Sequence, residues 1–399
     1  MNDRACPAPE PLSAMMMNIV FLTVLFFLTL ISRFIFAPLM PILSHDLGLT
    51  HSQAGSLFLI SACGNFIGAI TSGFFSSKIN HKGTLIFSTA GVGIIMWTFA
   101  WISSLWAVRM GVLFIGIVAG FNLPSNIATI TAMVRRQDWG KALAVQQLAP
   151  PLSTILGPLV VVMFVSWFSW RTPFMALGSL ALIAALTFMN YSHAGEFPGT
   201  APRPSAIKAL TKQKSIWIMV ILFTLGIGGQ IGVYAMLPLY LVAEHGLSTE
   251  TTNTLVGLSR ISGLFMTFLA GWMADRLGEK RTIALVLSIS GIATILLGVL
   301  SGRWLTVLIF LQPALITCYF PAGFAALSRI VQPNMRSLAS SLVPPTAFLL
   351  GGGLLPAALG YMGQTFSFGL GISLFGMIIF LGSILVFTLT LLEKMEEGC

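Results

Sequence analysis

The chain has 399 residues, 56% of them hydrophobic and only 8% charged, and its mean hydropathy is +0.91. A soluble globular domain carries about a quarter of charged residues, so that class is excluded. The formal net charge of +9, on so apolar a chain, reads as a topology signal and an attraction to anionic lipid headgroups, with no nucleic-acid partner expected.

Apolar runs near the ~20 residues that a helix needs to cross a bilayer core fill most of the length. They are too long and too unalternating for barrel strands, and lipid admits only helices or closed barrels. The expectation is an all-α membrane protein of twelve transmembrane helices, at 17–41, 54–76, 84–107, 109–134, 142–167, 172–191, 216–242, 251–274, 282–301, 304–330, 338–362 and 367–391. The first is too long for a secretory signal and no small-residue cleavage site follows it, so it is expected to be retained.

Basic residues set the orientation, because Lys and Arg near span ends stay on the cytoplasmic side. With the N-terminus inside, sixteen of the 21 fall in tails and inward loops, among them Lys78, Lys82, Arg135, Arg136, Lys141, Arg276, Lys280, Arg281, Arg329 and Arg336. Arg109, Arg171 and Arg303 fall at outer ends, which leaves Arg33 and Arg260 within spans. A multi-pass protein of a bacterial-type cytoplasmic (inner) membrane, both termini cytoplasmic, is expected. Cys6, Cys63, Cys318 and Cys399 show no paired spacing, so neither a disulfide framework nor a metal is expected, and no cofactor.

The chain repeats itself. "PILSHDLGLTHSQ" at 41–53 matches "PLYLVAEHGLSTE" at 238–250, "GFFSSKINHKG" at 73–83 falls against "GWMADRLGEKR" at 271–281, and Pro124 falls against Pro321, all at an offset of 197 or 198. Pro150-Pro151 pairs with Pro344-Pro345, each followed by a glycine, Gly157 and Gly351. The landmarks define a duplicated six-span unit: an N-terminal bundle at 1–191, a Pro-, Gly- and Lys-rich inward linker at 192–215 and a C-terminal bundle at 216–399.

These features together resemble the major facilitator superfamily (MFS) of secondary transporters over the whole chain. "GWMADRLGEKR" is similar to the family's inner-loop signature between spans eight and nine, and "WRTPF" at 170–174 resembles a Trp-Arg element common at the start of span six. The resemblance implies the MFS fold of two pseudo-symmetric six-helix bundles, with substrate bound near the midplane between them and access alternating as they rock.

Within the signature, Gly271 lets a neighbouring backbone approach, Gly278 permits the turn, and Asp275 supplies an anion for a helix N-terminus or an arginine. Asp275 is a latch candidate with Arg329 as its expected charged partner, while Arg276, Lys280 and Arg281 hold the loop inside and reach lipid phosphate. The plainer reading is that the loop only fixes topology. The first half departs from the pattern, with Ser77 and Asn80 where the acid and the turn glycine would stand, so any latch is expected to be one-sided. An arginine that family members pair with a glycine in span four, associated there with proton coupling, is replaced by Val112 before Gly116.

All twelve acids and all five histidines lie in tails, loops or span ends. A proton-driven carrier usually needs a titratable group in its cavity, and none is available. Arg33 and Arg260 nonetheless lie about 12–17 Å from the nearer ends of their spans at 1.5 Å per residue, close to mid-membrane. With no carboxylate at hand, the missing negative charge is read as the substrate's, since guanidinium stays charged when desolvated and binds carboxylate, sulfonate or phosphate oxygens in pairs. The alternatives are that Arg33 snorkels along its stem, or that either arginine bonds backbone carbonyls freed by a kink.

Further substrate-binding candidates share helix faces: Asn122 and Asn126 around Pro124, Gln230 and Tyr234 in span seven, and Tyr319 at the repeat position of Asn122. The resemblance places spans one, four, seven and ten around the cavity. Interhelical hydrogen bonding is the competing reading for each, and Gln146 and Gln147 are weaker candidates. "GNFIG" at 64–68 and "GIVAG" at 116–120 read as close-packing faces, and "GGGLLP" at 351–356 as a flexible or broken span.

The residues therefore point to a monomeric, non-enzymatic carrier of a small organic anion, a carboxylate or sulfonate, by symport, exchange or uniport. The rival within the family is an exporter of amphipathic or cationic drugs, for which 30 Phe and 19 Met leave an adaptable apolar cavity. A membrane-embedded enzyme is the remote alternative, lacking any mid-span His/Cys/acid cluster or arranged nucleophile and base. No G-x-x-x-x-G-K-[ST] motif for ATP is present.

Overall fold

The computed structural model describes residues 11–199, 208, 210–332 and 335–390, with backbone alone at 264, 267, 268, 270–272, 274, 275 and 337. Residues 1–10 and 391–399, and 200–207 and 209 of the linker, lie outside the described residues. Every regular element among those described is helical.

Ten helices are long and apolar enough to cross a membrane. In chain order with one further helix they are α1 (Leu12–Leu47), α2 (His51–Trp101), α3 (Leu105–Met133), α4 (Arg136–Val165), α5 (Thr172–Tyr191), α6 (Lys214–His245), α7 (Thr249–Leu277), α8 (Glu279–Val299), α9 (Gly302–Arg329), α10 (Leu338–Thr365) and α11 (Phe368–Thr388). The ten differ from the expected twelve at two places. α2 runs through two expected spans and breaks at Asn80, where φ is 62°, and α7, which carries Arg260 and the signature, is a 29-residue helix outside the ten.

Local chemistry sets the boundaries, and it repeats. Gly48 and Gly246 end α1 and α6 in the left-handed conformation, with φ of 62° and 64°, which costs a glycine nothing. Thr50 then opens α2 with a capping box: its Oγ1 accepts from Gln53 N at 3.2 Å, and its own N donates to Gln53 Oε1 at 3.0 Å. Ser248 does the corresponding work for α7, accepting from Thr251 N at 3.2 Å. Asn80 and Gly278 occupy equivalent positions, both with positive φ, and the Asn80 Oδ1 accepts from Gly83 N at 2.7 Å to cap the second leg of α2.

Large apolar side chains point outward along the helices, among them Ile183, Phe265 and Phe387, as they do in a bundle bathed in lipid. Trp101, Trp106, Trp167 and Trp304 stand exposed near one end of the bundle, the position of an interfacial aromatic belt. Small residues let the legs approach: a Cβ on Gly64 would meet the Leu113 carbonyl at 2.3 Å, and one on Gly116 the Ser61 carbonyl at 2.3 Å, so "GNFIG" and "GIVAG" face each other as a packed seam.

The halves α1–α5 and α6–α11 meet most closely at the end bearing the 48–50 and 246–248 turns. There the start of α2 lies on the end of α10, with His51 Nδ1 3.2 Å from the Gly363 carbonyl and Ser52 N donating to Gln364 Oε1 at 3.2 Å. Asn253 Nδ2 of α7 donates to the Pro38 carbonyl of α1 at 3.1 Å. At the opposite, basic end, among the described residues, Lys82 pairs with Glu196 of the segment after α5 at 2.9 Å and Arg329 with Glu279 at 2.7 Å.

Candidate functional site

Arg33 and Arg260 converge on one region between the halves. Arg33 sits two residues before α1 bends at Ile35 and is 9% exposed. Together with Phe34, Phe58 and Ser61 of its own half, and with Ile231, Tyr234, Phe348 and Gly352 of the other, it lines a cavity of about 20 Å³, room for about one water. Its guanidinium carbon lies 4.6 Å from the centroid of the Phe348 ring. Among the described residues Arg33 makes no hydrogen bond or ion pair, and its Nε is buried without a partner.

Arg260, 7% exposed, is held from two sides. Its guanidinium carbon lies 4.4 Å from the Tyr234 ring centroid, and Nη1 donates to the Gln230 carbonyl at 3.1 Å. That carbonyl belongs to a π-helical turn in α6, Gly228–Gly232, and such a turn interrupts the regular ladder and frees carbonyls. Its Nε is buried without a partner. Arg260 thus makes the backbone-carbonyl contact that stood as one alternative, and it does so beside the cavity. Tyr234 bridges the two arginines: its ring carries Arg260, it lines the cavity with Arg33, and its hydroxyl donates to the Thr154 carbonyl of α4 at 3.4 Å.

A second π-helical turn, Leu349–Leu354 in α10, faces the first. A Cβ on Gly232 would meet the Gly351 carbonyl at 2.2 Å, and one on Gly351 the Thr224 carbonyl at 2.5 Å, so both turns need glycine for the contact. This is where "GGGLLP" interrupts its span. It also sets Phe348 at the head of a turn, with its ring folded across Gly352.

The remaining candidates are dispersed. Asn126 Nδ2 donates to the Leu22 carbonyl at 2.8 Å and lies 3.4 Å from Asn122 Oδ1, so this pair binds α3 to α1 inside the first half. Asn122 Nδ2 and Asn126 Oδ1 are buried without partners, as are both polar atoms of Gln146. Gln230 Nε2 donates to Thr317 Oγ1 at 3.2 Å. Tyr319 is fully buried against Phe223 and Phe320, away from the residues that line the cavity.

At the basic end, Gly278 makes its turn with φ 78°, followed by Lys280 and Arg281. Arg329 Nη1 donates to both carboxylate oxygens of Glu279, at 2.7 and 2.8 Å. The side chain of Asp275 lies outside the described residues. In the first half, the segment after α5 folds back on the break in α2: Lys82 N donates to the Gly195 carbonyl, His81 N to that of Phe197 and Gly199 N to that of Ser76. Hydrogen bonds from Lys82 and then His193 hold the Glu196 carboxyl below its ordinary range.

Sequence reasoning missed Phe348, Phe58 and Asn253. Asn253 carried a signal, standing seven residues and so two helical turns before Arg260 on an otherwise apolar face. The two phenylalanines carried none among 30.

The family model of the Major Facilitator Superfamily matches residues 22–303 and 246–398. The chain belongs to that superfamily. The solved structures agree in fold: a bacterial homolog of the human lysosomal transporter Spinster, in an inward-facing and occupied conformation, aligns with a TM-score of 0.80 at 14% identity, covering 96% of this chain and 97% of that one. A D-xylose-proton symporter aligns with a TM-score of 0.77 at 18% identity, covering 96% and 99%. By sequence, the MFS-type transporter YfkF of Bacillus subtilis is 22% identical across 86% of this chain and 88% of its own. The gallate transporter of Pseudomonas putida is 22% identical across 65% and 66%, and the multi-drug resistance efflux pump PmrA of Streptococcus pneumoniae is 25% identical across 64% and 65%.

Proposed function

We propose that this protein is a secondary or facilitative transporter that moves a small organic anion, a carboxylate or sulfonate, across the cytoplasmic membrane by alternating access. The observation that carries the reading is Arg33: a buried guanidinium at the interface of the halves, facing a cavity, without a carboxylate or hydrogen-bond acceptor among the described residues. Such a charge is costly unless something neutralises it in at least one state of the cycle. Arg260, one ring away across Tyr234, supplies a second cation from the other half. A relative named for gallate, itself an organic anion, supports the reading.

In this proposal the basic end is cytoplasmic, with both termini, and the two legs of α2 together with α7 bring the crossings to twelve. The close contacts at the 48–50 and 246–248 turns then shut the outer side, so the conformation is inward-facing. Asp275 and Arg329 serve the inner end as its latch, with Gly271, Gly278 and the cations Arg276, Lys280 and Arg281 shaping and orienting the loop. The unit is a monomer that carries out no chemical step on its solute.

Export of amphipathic compounds is the second reading, favoured by the similarity to PmrA and by the aromatic lining of the cavity. Thermal unfolding of the detergent-purified protein with carboxylates, sulfonates, phosphates, sugars and hydrophobic cations separates the two. Stabilisation by one class of anion, lost in Arg33→Gln and Arg260→Gln while both variants stay folded, supports the anion reading. Stabilisation by hydrophobic cations that survives both substitutions replaces it with the exporter.

A further inference from the structure

The cavity that Arg33 faces is poor in everything except charge and rings. Its hydrogen-bonding side chains are Arg33, Ser61 and the Tyr234 hydroxyl, and the last already donates to Thr154. The rest of its wall is Phe34, Ala37, Phe58, Ile231, Ala235, Phe348 and Gly352. A polyhydroxylated anion placed here would lose water from each hydroxyl without a replacement partner, whereas a flat apolar body would only exchange water for rings.

The Arg33–Phe348 contact adds a ring beside the charge. A guanidinium that rests its face on a ring keeps its edge free, and the edge is the part that binds a carboxylate with two parallel hydrogen bonds. Phe348 therefore offers a ring 4.6 Å from the Arg33 guanidinium carbon, beside the place where a carboxylate would dock. The ring is backed by Gly352, and a Cβ there would come within 2.9 Å of it, so the absence of a side chain lets Phe348 lie back against its own helix. Phe58 lines the same cavity from the first half. At about 20 Å³ the cavity admits a ring only as these walls part, and the glycine-rich π-helical turn directly after Phe348 is the place where α10 can yield.

We infer that the anion recognised between the halves is a monocarboxylate on a flat aromatic or apolar body, its head on Arg33 and its ring against Phe348 and Phe58. This rests on the anion reading above and narrows it. Sugar acids and short polar acids are excluded by the wall, and cations and neutral rings by Arg33.

The test is equilibrium binding to the purified full-length protein in nanodiscs, read as a ligand-dependent shift in unfolding temperature and converted to Kd. The probes are benzoate, cyclohexanecarboxylate, acetate, gluconate, benzyl alcohol and benzylamine. Benzoate is expected to bind on the order of tenfold or more tighter than acetate or gluconate, the scale for burying a ring-sized apolar surface. Phe348→Leu should reduce the benzoate-to-acetate ratio by at least about threefold, and Phe58→Leu provides the same readout from the first half should Phe348→Leu fail to fold. Arg33→Gln should abolish binding of every carboxylate. Equal affinity for benzoate, acetate and gluconate, all lost in Arg33→Gln, overturns the aromatic preference and leaves the anion reading standing. Binding of benzylamine or benzyl alcohol that survives Arg33→Gln overturns both. No response to benzoate or cyclohexanecarboxylate at any soluble concentration overturns the inference as well.

Discussion

Asp46 and Glu244 occupy equivalent places in the two halves, and each ties the end of its half's first helix to the start of the last. In the first half, Trp170 Nε1 donates to Asp46 Oδ2 at 2.8 Å and Arg171 Nη1 lies 3.5 Å from the same oxygen. In the second, Glu244 accepts from the backbone N of Phe368 and from that of Gly369, the latter at 3.1 Å. The two places share the acid and its target and differ in the donors, side chains in one and the free amides of a helix N-terminus in the other.

Loss of the acid should therefore cost more in the second half, where two amides at the α11 start would be left without their partner. Glu244→Ala is expected to lower stability by about 1–2 kcal/mol and Asp46→Ala by about 1 kcal/mol or less. Unfolding temperature in one detergent checks both. Equal losses, or a larger loss for Asp46→Ala, would refute the asymmetry.

The strap formed by 195–199 on the α2 break should respond to acid. Bonds from Lys82 and His193 depress the Glu196 pKa below its ordinary 4.5, so the strap gains stability that is complete above that value and lost as pH falls through the lower, folded one. Hydrogen exchange at the amides of His81, Lys82 and Gly199, corrected for intrinsic rate, should show steady protection at neutral pH and a loss only below the ordinary 4.5. In Glu196→Gln the protection should be weaker at neutral pH and insensitive to acid. An identical profile in variant and parent would detach the strap from Glu196.

The matching turns and caps were legible because they rest on residues whose roles are local: Gly48 and Gly246 end helices, Thr50 and Ser248 start them, Asn80 and Gly278 turn the chain. The two buried arginines were legible because nothing disguises a charge in an apolar run. The π-helical turn at "GGQIG" was not, since it carries no hydrophobic pattern that distinguishes a widened turn from a packing face, whereas "GGGLLP" was legible as a break in its span. Asn122 and Asn126 were visible as a polar pair, but their direction depends on the Leu22 carbonyl, which only packing brings to them. The strap pairs residues more than a hundred positions apart through backbone groups, which no side-chain pattern announces.

Closure at the turn end depends on Gly55, where a Cβ would come within 2.5 Å of the Pro356 carbonyl. Gly55→Leu should hold α2 off α10 and shift the population towards a conformation open at that end. In a chain stripped of its four cysteines, a reporter at Ser61→Cys on the cavity wall should react with a membrane-impermeant thiol reagent, applied from that side, on the order of tenfold faster when Gly55→Leu is added. Unchanged labelling would mean that the Gly55 contact does not hold this end shut.

Arg33 and Arg260 should part company when both are made apolar. Arg33 contributes a buried charge without a hydrogen-bond partner, so Arg33→Leu is expected to raise unfolding stability by about 1–3 kcal/mol while abolishing anion binding. Arg260 holds the Gln230 carbonyl in the α6 turn, so Arg260→Leu leaves that acceptor buried and unpaired and is expected to lower stability by a similar amount. The two effects in opposite directions, measured without solute in the same detergent, would mark Arg33 as a group kept for its ligand and Arg260 as one that also braces the helix it faces. If Arg33→Leu destabilised the protein as Arg260→Leu does, Arg33 would be part of the scaffold, and the anion reading would lose the observation that carries it.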